Sequence, residues 1–272
     1  MKDKNDNLTP GAKSVRKAVE KLGAVPAEPN YRARVREGFV SRTLAGSHRR
    51  TPDASRSWRA ASLAAVAAVA IAIAGIALAN RGEPWRVVSS TGAGPVVVDG
   101  RPISPADSAT LSGAIHPGTR IRVPEGAQLD LSAAGTLLIQ ITAGTEVTVP
   151  PTPGRWWRRD VSGRIWVGEL RITTGPRFHG ARLSVESPDA RVNVSGTTIA
   201  VIRNSLGTCL CVFEGTARIA AAGRSSEPLG AGLRRQLFKD GRPPLTEPLR
   251  PMEQMKLSML RDQGREKLGG DH

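Results

Sequence analysis

The chain has 272 residues, 39% of them hydrophobic and 23% charged, a composition compatible with one or two globular domains. Its 29 glycines and 20 prolines, with only 4% aromatic residues, favour a turn-rich β domain over a helical bundle. The net charge is +15, and residues 1–59 alone carry +8, so the basicity is concentrated at the N-terminus, as expected either of nucleic-acid binding or of membrane topology.

Residues 1–59 are predicted to be a basic, helical, cytoplasmic segment. Cap and stop signals predict one helix between Thr9 and Gly23 and a second between Asn30 and Gly46. A helical hairpin this short cannot bury a core of its own, so its apolar residues either stay partly solvated or bind a partner protein. The partner-binding residues predicted on the second helix are Tyr31, Val35, Phe39 and Leu44.

A third interpretation of this segment is a DNA-binding helix-turn-helix. The connection GAVPAEPN, residues 23–30, is longer than the three or four residues usual in that motif and contains two prolines. We therefore expect no direct contact with nucleic acid.

Residues 60–79, AASLAAVAAVAIAIAGIALA, contain no charged side chain. Twenty helical residues extend about 30 Å, which is enough to cross the hydrocarbon core of a bilayer. We predict a transmembrane helix over residues 60–80. Two alternatives stay open: a buried helix of a soluble domain, which would normally show a polar face, and a signal peptide cleaved after Ala79, which would have an unusually long N-terminal region.

Flanking charge sets the predicted orientation. The arginines shortly before the apolar run are Arg42, Arg49, Arg50, Arg56 and Arg59. Only Arg81 and Arg86 follow at close range, so the positive-inside rule places the N-terminus in the cytoplasm and residues 81–272 outside. Small residues at four-residue spacing would allow two spans to pack as a homodimer. These are Ala70 with Ala74 and Gly75 with Ala79.

Short alternating apolar runs separated by turn signals predict a β domain over residues 81–250. Asp99-Gly100, between VVV and RPI, is a two-residue hairpin signal. A Gly-Thr pair recurs before strand-like runs, because glycine supplies positive φ and threonine starts a strand well. The pairs are at 118–119, 135–136, 144–145, 196–197, 207–208 and 215–216. The predicted fold class is mainly β, a multi-stranded β-sandwich or β-roll.

Residues 187–203, SPDARVNVSGTTIAVIR, contain two alternating runs of different parity. Apolar residues stand at even positions in the first run and at odd positions in the second: Val192 and Val194, then Ile199 and Val201. A bulge or tight turn at Gly196-Thr197 would return both runs to a common buried face, so we expect Gly196 to be intolerant of a side chain.

Residues 251–272 are predicted to be a C-terminal helix and tail. Its apolar stripe is expected to pack on the β domain rather than to recruit a partner, and consists of Met252, Met255, Met259 and Leu260. Cys209 and Cys211, two apart on a predicted strand, are interpreted as small core residues rather than as a redox or metal pair.

The sequence contains no catalytic motif and no metal-ligand spacing, and its acidic residues are dispersed, so we predict neither an enzyme nor a cofactor. The candidate contact surface of the β domain is Trp156-Trp157-Arg158-Arg159. Paired tryptophans beside arginines can stack on sugar rings, a peptide or lipid headgroups. Alternatively, these tryptophans cover one end of the β core.

The most specific part of the chain resembles the FecR family. SPDARVNVSGTTIAVIR is similar to that family's pattern TP-x-A-x-V-x-V-x-G-T-x-F-x-V, with Ser187 for Thr and Ile199 for Phe. The following TCLCVFEGTARIAA is similar to its V-x-V-x-E-G-x-V-x-V, and IWVGELRITTG to a further family strand. The resemblance covers about residues 86–240. The structural-motif residues are Pro188, Val192, Val194, Gly196, Thr197, Glu214 and Gly215.

The resemblance implies a single-pass protein of a bacterial inner membrane with a periplasmic sensing domain. Family members are often anti-sigma factors or sigma regulators, whose cytoplasmic part holds an extracytoplasmic-function sigma factor. The expected partners are a sigma factor, an unknown periplasmic or outer-membrane protein or envelope ligand, and the lipid bilayer. The alternative is a membrane-anchored periplasmic binding or scaffold module that contacts envelope protein or polysaccharide.

Overall fold

The computed structural model describes residues 69–80, 82–157, 159–221 and 223–269. By its contacts the chain divides into two compact units, Met1–Ala67 and Ala68–His272, and the described residues lie in the second. They form a mainly β structure, a large mixed sheet followed by a C-terminal helix.

Helix α1 covers residues 69–79 and ends at Asn80, whose backbone N–H donates to the Ile76 carbonyl at 3.0 Å. All side chains of α1 are exposed. Across the ranges given above, no helix has both the length and the apolar character needed to cross a membrane. Residues 60–68, the first part of the predicted span, lie outside the described residues.

Sixteen strands and two further helices follow in the described ranges. The first eight strands are β1 (Arg86–Gly92), β2 (Val96–Val98), β3 (Arg101–Ile103), β4 (Arg120–Arg122), β5 (Ala127–Ala133), β6 (Leu137–Ile141), β7 (Glu146–Thr148) and β8 (Asp160–Thr174). The others are β9 (Arg182–Glu186), β10 (Ala190–Val194), β11 (Thr198–Asn204), β12 (Gly207–Glu214), β13 (Thr216–Ala221), β14 (Glu227–Gly230), β15 (Leu233–Phe238) and β16 (Leu245–Pro248). The helices are α2 (Ser108–Ala114) and α3 (Pro251–Leu268).

Strand β8 is shared by two sheets. Its C-terminal half pairs with β6 and β11 in the sheet β1-β5-β6-β8-β11-β12-β15-β16, which we call the helix-covered sheet. Its N-terminal half pairs with β7 and β9 in the sheet β3-β2-β4-β7-β8-β9-β10-β13-β14, which we call the open sheet. The β8–β9 pair is parallel and the other pairs are antiparallel, so the large sheet that these two parts form through β8 is mixed.

Gly168 marks the point where β8 passes from one sheet to the other. Its φ is +98°, a conformation that favours glycine, and an added Cβ would lie 2.2 Å from Thr145 Oγ1. Thr145 is fully buried, and its hydroxyl accepts a hydrogen bond from the Glu169 N–H at 2.9 Å. The passage of β8 between the two sheets therefore requires a residue without a side chain at position 168.

One hydrophobic core lies between the two sheets. Buried side chains from both sheets belong to the same cluster, for example Leu131 and Ile172 of the helix-covered sheet and Leu183 and Val192 of the open sheet. Trp85 closes this core near α1, and its indole N–H donates to the Pro150 carbonyl at 2.8 Å. Val, Ile and Leu fill most of the remaining volume, as the low aromatic content indicates.

Helix α3 packs on the outer face of the helix-covered sheet, but not with the predicted stripe. Its buried residues are Leu257, Leu260, Gly264 and Leu268. The prediction is right for Leu260 and wrong for Met252, Met255 and Met259, which are 51–66% exposed. The reason is close packing at Gly264, where an added Cβ would lie 2.4 Å from Thr173 Cγ2. The helix turns its small residue to the sheet and its methionines to solvent.

The turn predictions agree with the backbone. Asp99 and Gly100 have φ values of +46° and +81° and connect β2 to β3, in which Val98 pairs with Arg101. All six glycines of the Gly-Thr pairs also have positive φ. Thus the recurring Gly-Thr pair marks turns, as expected.

Gly196 and Thr197 connect strands of different sheets. The preceding β10 belongs to the open sheet and the following β11 to the helix-covered sheet. The valines of β10 and the odd-numbered residues of β11 nevertheless reach the same core, because the two sheets face each other. The connection is thus a crossing between sheets rather than a bulge within one strand pair.

Candidate functional site

The predicted sigma-binding residues Tyr31, Val35, Phe39 and Leu44 lie outside the described residues, and so does Arg158. Of the predicted external contact surface, the structure places Trp156, Trp157 and Arg159. They lie in the segment that leads from Pro150 to the start of β8.

Asn80 joins the end of α1 to the tryptophan loop, residues 155–157. Its Oδ1 accepts from the backbone N–H groups of Trp156 at 2.7 Å and Trp157 at 3.1 Å. Its Nδ2 donates to the Trp157 carbonyl at 3.0 Å, and its own carbonyl accepts from the Arg155 N–H at 3.3 Å. Asparagine suits this position because its amide offers an acceptor and donors together. We call this arrangement the Asn80 junction.

The two tryptophans of the loop are exposed. Trp156 is 60% and Trp157 44% exposed, and their ring centroids are 5.8 Å apart at 44°. The backbone of the loop is held while both indole rings face solvent, an arrangement that favours a contact surface over a cover for the β core.

A polar groove of about 750 Å³ runs across the outer face of the open sheet. Its floor consists of the short side chains Ser162, Ser184 and Asn193, which are neighbours in register across β8, β9 and β10. Arg182 borders one side, and Arg218 stands at the far end, where it donates to the Ser226 hydroxyl and carbonyl at 3.0 and 2.6 Å.

A cluster of arginines on the open sheet is linked to this groove by Arg164, which lies 3.1 Å from Glu186 of the groove lining. Glu146 of β7 accepts from Arg120 and from Arg122, the latter at 2.8–3.0 Å. Burial opposes ionisation of Glu146, but the hydrogen bonds from the two arginines outweigh it and hold the pKa of this carboxyl below its ordinary value. Arg120 and Arg164 also stack on the Trp166 ring, 5.0 and 5.1 Å from its centroid.

The two cysteines are free and buried beneath α3, in a cluster with Leu257 and Leu260. Arg234 Nη2 donates to Cys209 Sγ at 3.4 Å, and its Nη1 lies 3.0 Å from the Glu253 carboxylate. Hydrogen bonding with Cys211, together with Arg234, lowers the pKa of the Cys209 thiol despite its burial. Hydrogen bonding with Cys209 and burial raise the pKa of Cys211.

The structure brings together the central residues of the predicted structural motif. An added Cβ at Gly215 would lie 2.7 Å from the Gly196 carbonyl and 2.8 Å from Thr197 Cγ2. Val192 and Val194 are fully buried, whereas Pro188 and Glu214 are exposed. Glu214 lies 3.9 Å from Arg265 of α3. The motif thus forms a packing site where two Gly-Thr turns meet.

The sequence interpretation missed Asn80 and the groove. Asn80 carried a signal, since it is the first polar residue after the apolar run. The groove carried no such signal in the sequence, because its residues come from separate strands and only the register of the folded sheet brings them together. In the described ranges, no three His, Cys, Asp or Glu side chains come close enough to hold a metal ion.

Comparisons with known proteins give partial likenesses. No family model and no curated protein matches the chain. Two crystal structures of a "putative anti-sigma factor" from Parabacteroides distasonis are similar in part. The first is 17% identical over 52% of this chain and 64% of its own, and the second 14% identical over 55% and 74%, each with a TM-score of 0.43. This chain therefore spans less than two thirds of the first structure.

Proposed function

We propose that the protein is a single-pass membrane regulator of an extracytoplasmic-function sigma factor, with a sensing β domain outside the membrane and no enzymatic activity. The observation that carries the proposal is the Asn80 junction. Four hydrogen bonds fix the end of the apolar helix to the β domain within a few residues, so that a displacement of the domain reaches the helix without a flexible linker.

The sigma-factor part of the proposal rests on the N-terminal segment. Its apolar stripe contains Tyr31 and Phe39 and cannot be buried within so short a helical pair, whereas a partner helix or groove would cover it. The net charge of +8 in residues 1–59 supports a cytoplasmic position for this segment.

Binding is tested with the full-length chain in detergent and each purified extracytoplasmic-function sigma factor of the host. We expect one sigma factor to bind and the double variant Tyr31→Ala, Phe39→Ala to weaken its affinity at least tenfold, about 1.4 kcal/mol. Arg32→Gln is the control, since it changes charge but keeps the stripe. Full affinity of the double variant would show that this face is not the binding site.

Signal transfer is tested with Asn80→Ala in cells carrying a reporter gene for that sigma factor. The variant loses the hydrogen bonds of the Asn80 side chain and should respond weakly to the inducing condition while its β domain stays folded. Asn204→Ala is the matched control, because its side chain accepts one hydrogen bond, from the Leu206 N–H at 2.9 Å, in an exposed hairpin. An unchanged response of Asn80→Ala contradicts the role of the junction.

A second candidate function is a membrane-anchored module that binds an envelope polymer. The groove on the open sheet favours it, since its hydroxyl, amide and guanidinium groups suit a polar ligand. Replacing residues 1–50 by an unrelated basic sequence separates the two functions. A regulator should lose activity completely, whereas a binding module should keep it.

A further inference from the structure

A basic pocket lies directly beside the Asn80 junction. It has a volume of about 540 Å³, and its charged lining residues are Glu83, Arg155, Arg159 and Arg177. Gly82 and Glu83 follow Asn80 closely in the chain and form one wall, so the pocket opens at the end of α1 where the β domain begins.

Arg159 is positioned for an anion that none of the described residues supplies. Its Nη1 donates to the Arg155 carbonyl at 2.9 Å, and its Nη2 donates to the His179 carbonyl. Its Nε is buried and has no hydrogen-bond partner in the described ranges. The two carbonyls fix the guanidinium without neutralising it, which leaves a buried N–H donor and a full positive charge.

Among the described residues of the pocket lining, Glu83 supplies the one carboxylate, and it is held loosely. Glu83 lies 3.8 Å from Arg155 and 3.8 Å from Arg177, near the limit for an ion pair, and all three side chains are at least 36% exposed. Exposed pairs at such distances contribute little. Arg155 can therefore turn toward a second anion without losing a strong interaction.

The surroundings of the pocket are apolar and aromatic. The exposed side chains Ile73, Ile76 and Leu78 belong to α1, which ends just before Gly82 of the pocket wall, and the indole rings of Trp156 and Trp157 lie in the same loop as Arg155. Tryptophan is favoured where an apolar phase meets water, and arginine binds phosphate through its planar fork. A phosphate between an apolar layer and water is the chemistry of a phospholipid headgroup.

We propose that this pocket binds the phosphate of an anionic phospholipid headgroup, with Trp156 and Trp157 in the interfacial layer of the bilayer. This proposal rests on the proposed function, because it needs α1 to belong to the membrane anchor. Arg159 is the central ligand and Arg155 the second. The contact would hold the β domain against the membrane surface by the face that carries the tryptophan loop.

The first test places the full-length chain in nanodiscs of zwitterionic or phosphatidylglycerol-containing lipids brominated near the glycerol end of the chains, which quench nearby tryptophans. We expect strong quenching that falls by at least half in Trp156→Phe, Trp157→Phe. Trp166→Phe is the control, since Trp166 lies between two arginines on the open sheet. Equal quenching in the wild type and the double variant overturns the proposal. A chain that does not enter nanodiscs overturns the proposed function as well.

The second test separates a lipid headgroup from free phosphate. Phosphatidylglycerol in the nanodisc should raise the Tm of the wild type by about 3 °C or more relative to zwitterionic lipid, as binding to the folded state requires. Arg159→Gln should lose this shift, and Arg101→Gln, which removes an exposed charge elsewhere, should keep it. The same shift with millimolar inorganic phosphate in zwitterionic nanodiscs, or no shift with either, overturns the lipid assignment.

Discussion

Replacing Gly168 by alanine should destabilise the protein far more than replacing Gly196, although both residues have positive φ. Gly168 has φ +98° and Gly196 φ +111°, so alanine is strained at either position. The two positions differ in the space available for an added methyl group. A Cβ at Gly168 would meet Thr145 atoms at 2.2–2.7 Å, whereas a Cβ at Gly196 would have nothing within 4 Å.

The magnitudes follow from these two conditions. Backbone strain at a residue with unfavourable positive φ costs about 1–3 kcal/mol, and this applies to both variants. Forcing a methyl group against a well-packed neighbour adds about 1–3 kcal/mol at Gly168. Gly113 of α2 has neither problem, and Gly113→Ala should raise stability by about 0.4–1 kcal/mol.

The assay is thermal and guanidinium unfolding of the full-length chain in detergent, followed by far-UV circular dichroism. Each kcal/mol should shift Tm by about 2–4 °C in a domain of this size. The expected order of stability is Gly113→Ala, wild type, Gly196→Ala and Gly168→Ala, from high to low. If Gly168→Ala is no less stable than Gly196→Ala, the close approach to Thr145 does not constrain β8.

Three further predictions concern stability. The arginines beside Glu146 keep its folded-state pKa below the ordinary 4.5, so its ionised form stabilises the fold at neutral pH, and this stabilisation is lost as pH falls below 4.5. In urea unfolding across pH 3–7, Glu146→Gln should therefore lose less free energy of unfolding at low pH than the wild type does. Leu257→Ala should lower the free energy of unfolding by about 2–5 kcal/mol and Met255→Ala by less than about 0.5 kcal/mol in the same assay, and equal effects would contradict the assigned helix face. Arg234→Met should leave Glu253 unpaired and remove about 3 kcal/mol, with faster amide hydrogen exchange in α3.

The ends of the strands could be predicted from the sequence, because the residues that form a turn are neighbours in the chain. Asp99-Gly100 and the Gly-Thr pairs need positive φ wherever they occur, and the backbone has it at each of them. The pairing of strands could not be predicted, since alternation shows which side is buried but not which strand covers it. Thus the turn at Gly196-Thr197 and the common buried face were predicted correctly, whereas the crossing between two sheets could not be predicted.

The buried face of α3 was mispredicted for a related reason. Helical periodicity favours the stripe with the largest apolar side chains, here Met252, Met255 and Met259. The sheet below α3 accepts a different face because Thr173 leaves room only for glycine at position 264. Shape complementarity between two elements outweighed hydrophobicity of one element, and a single sequence does not contain the shape of the sheet.

The junction and the groove share the start of β8, which gives the two proposed surfaces a physical connection. Asp160 lines the groove and also the cavity that contains Asn80 and Trp157. The backbone N–H of Arg182, which borders the groove, donates to the Arg159 carbonyl at 2.9 Å. We therefore expect a groove ligand that displaces Arg182 to displace Arg159, the residue proposed to bind lipid phosphate. Because coupling between two binding sites is reciprocal, a groove ligand that strengthens headgroup binding must itself bind more tightly in anionic than in neutral bilayers.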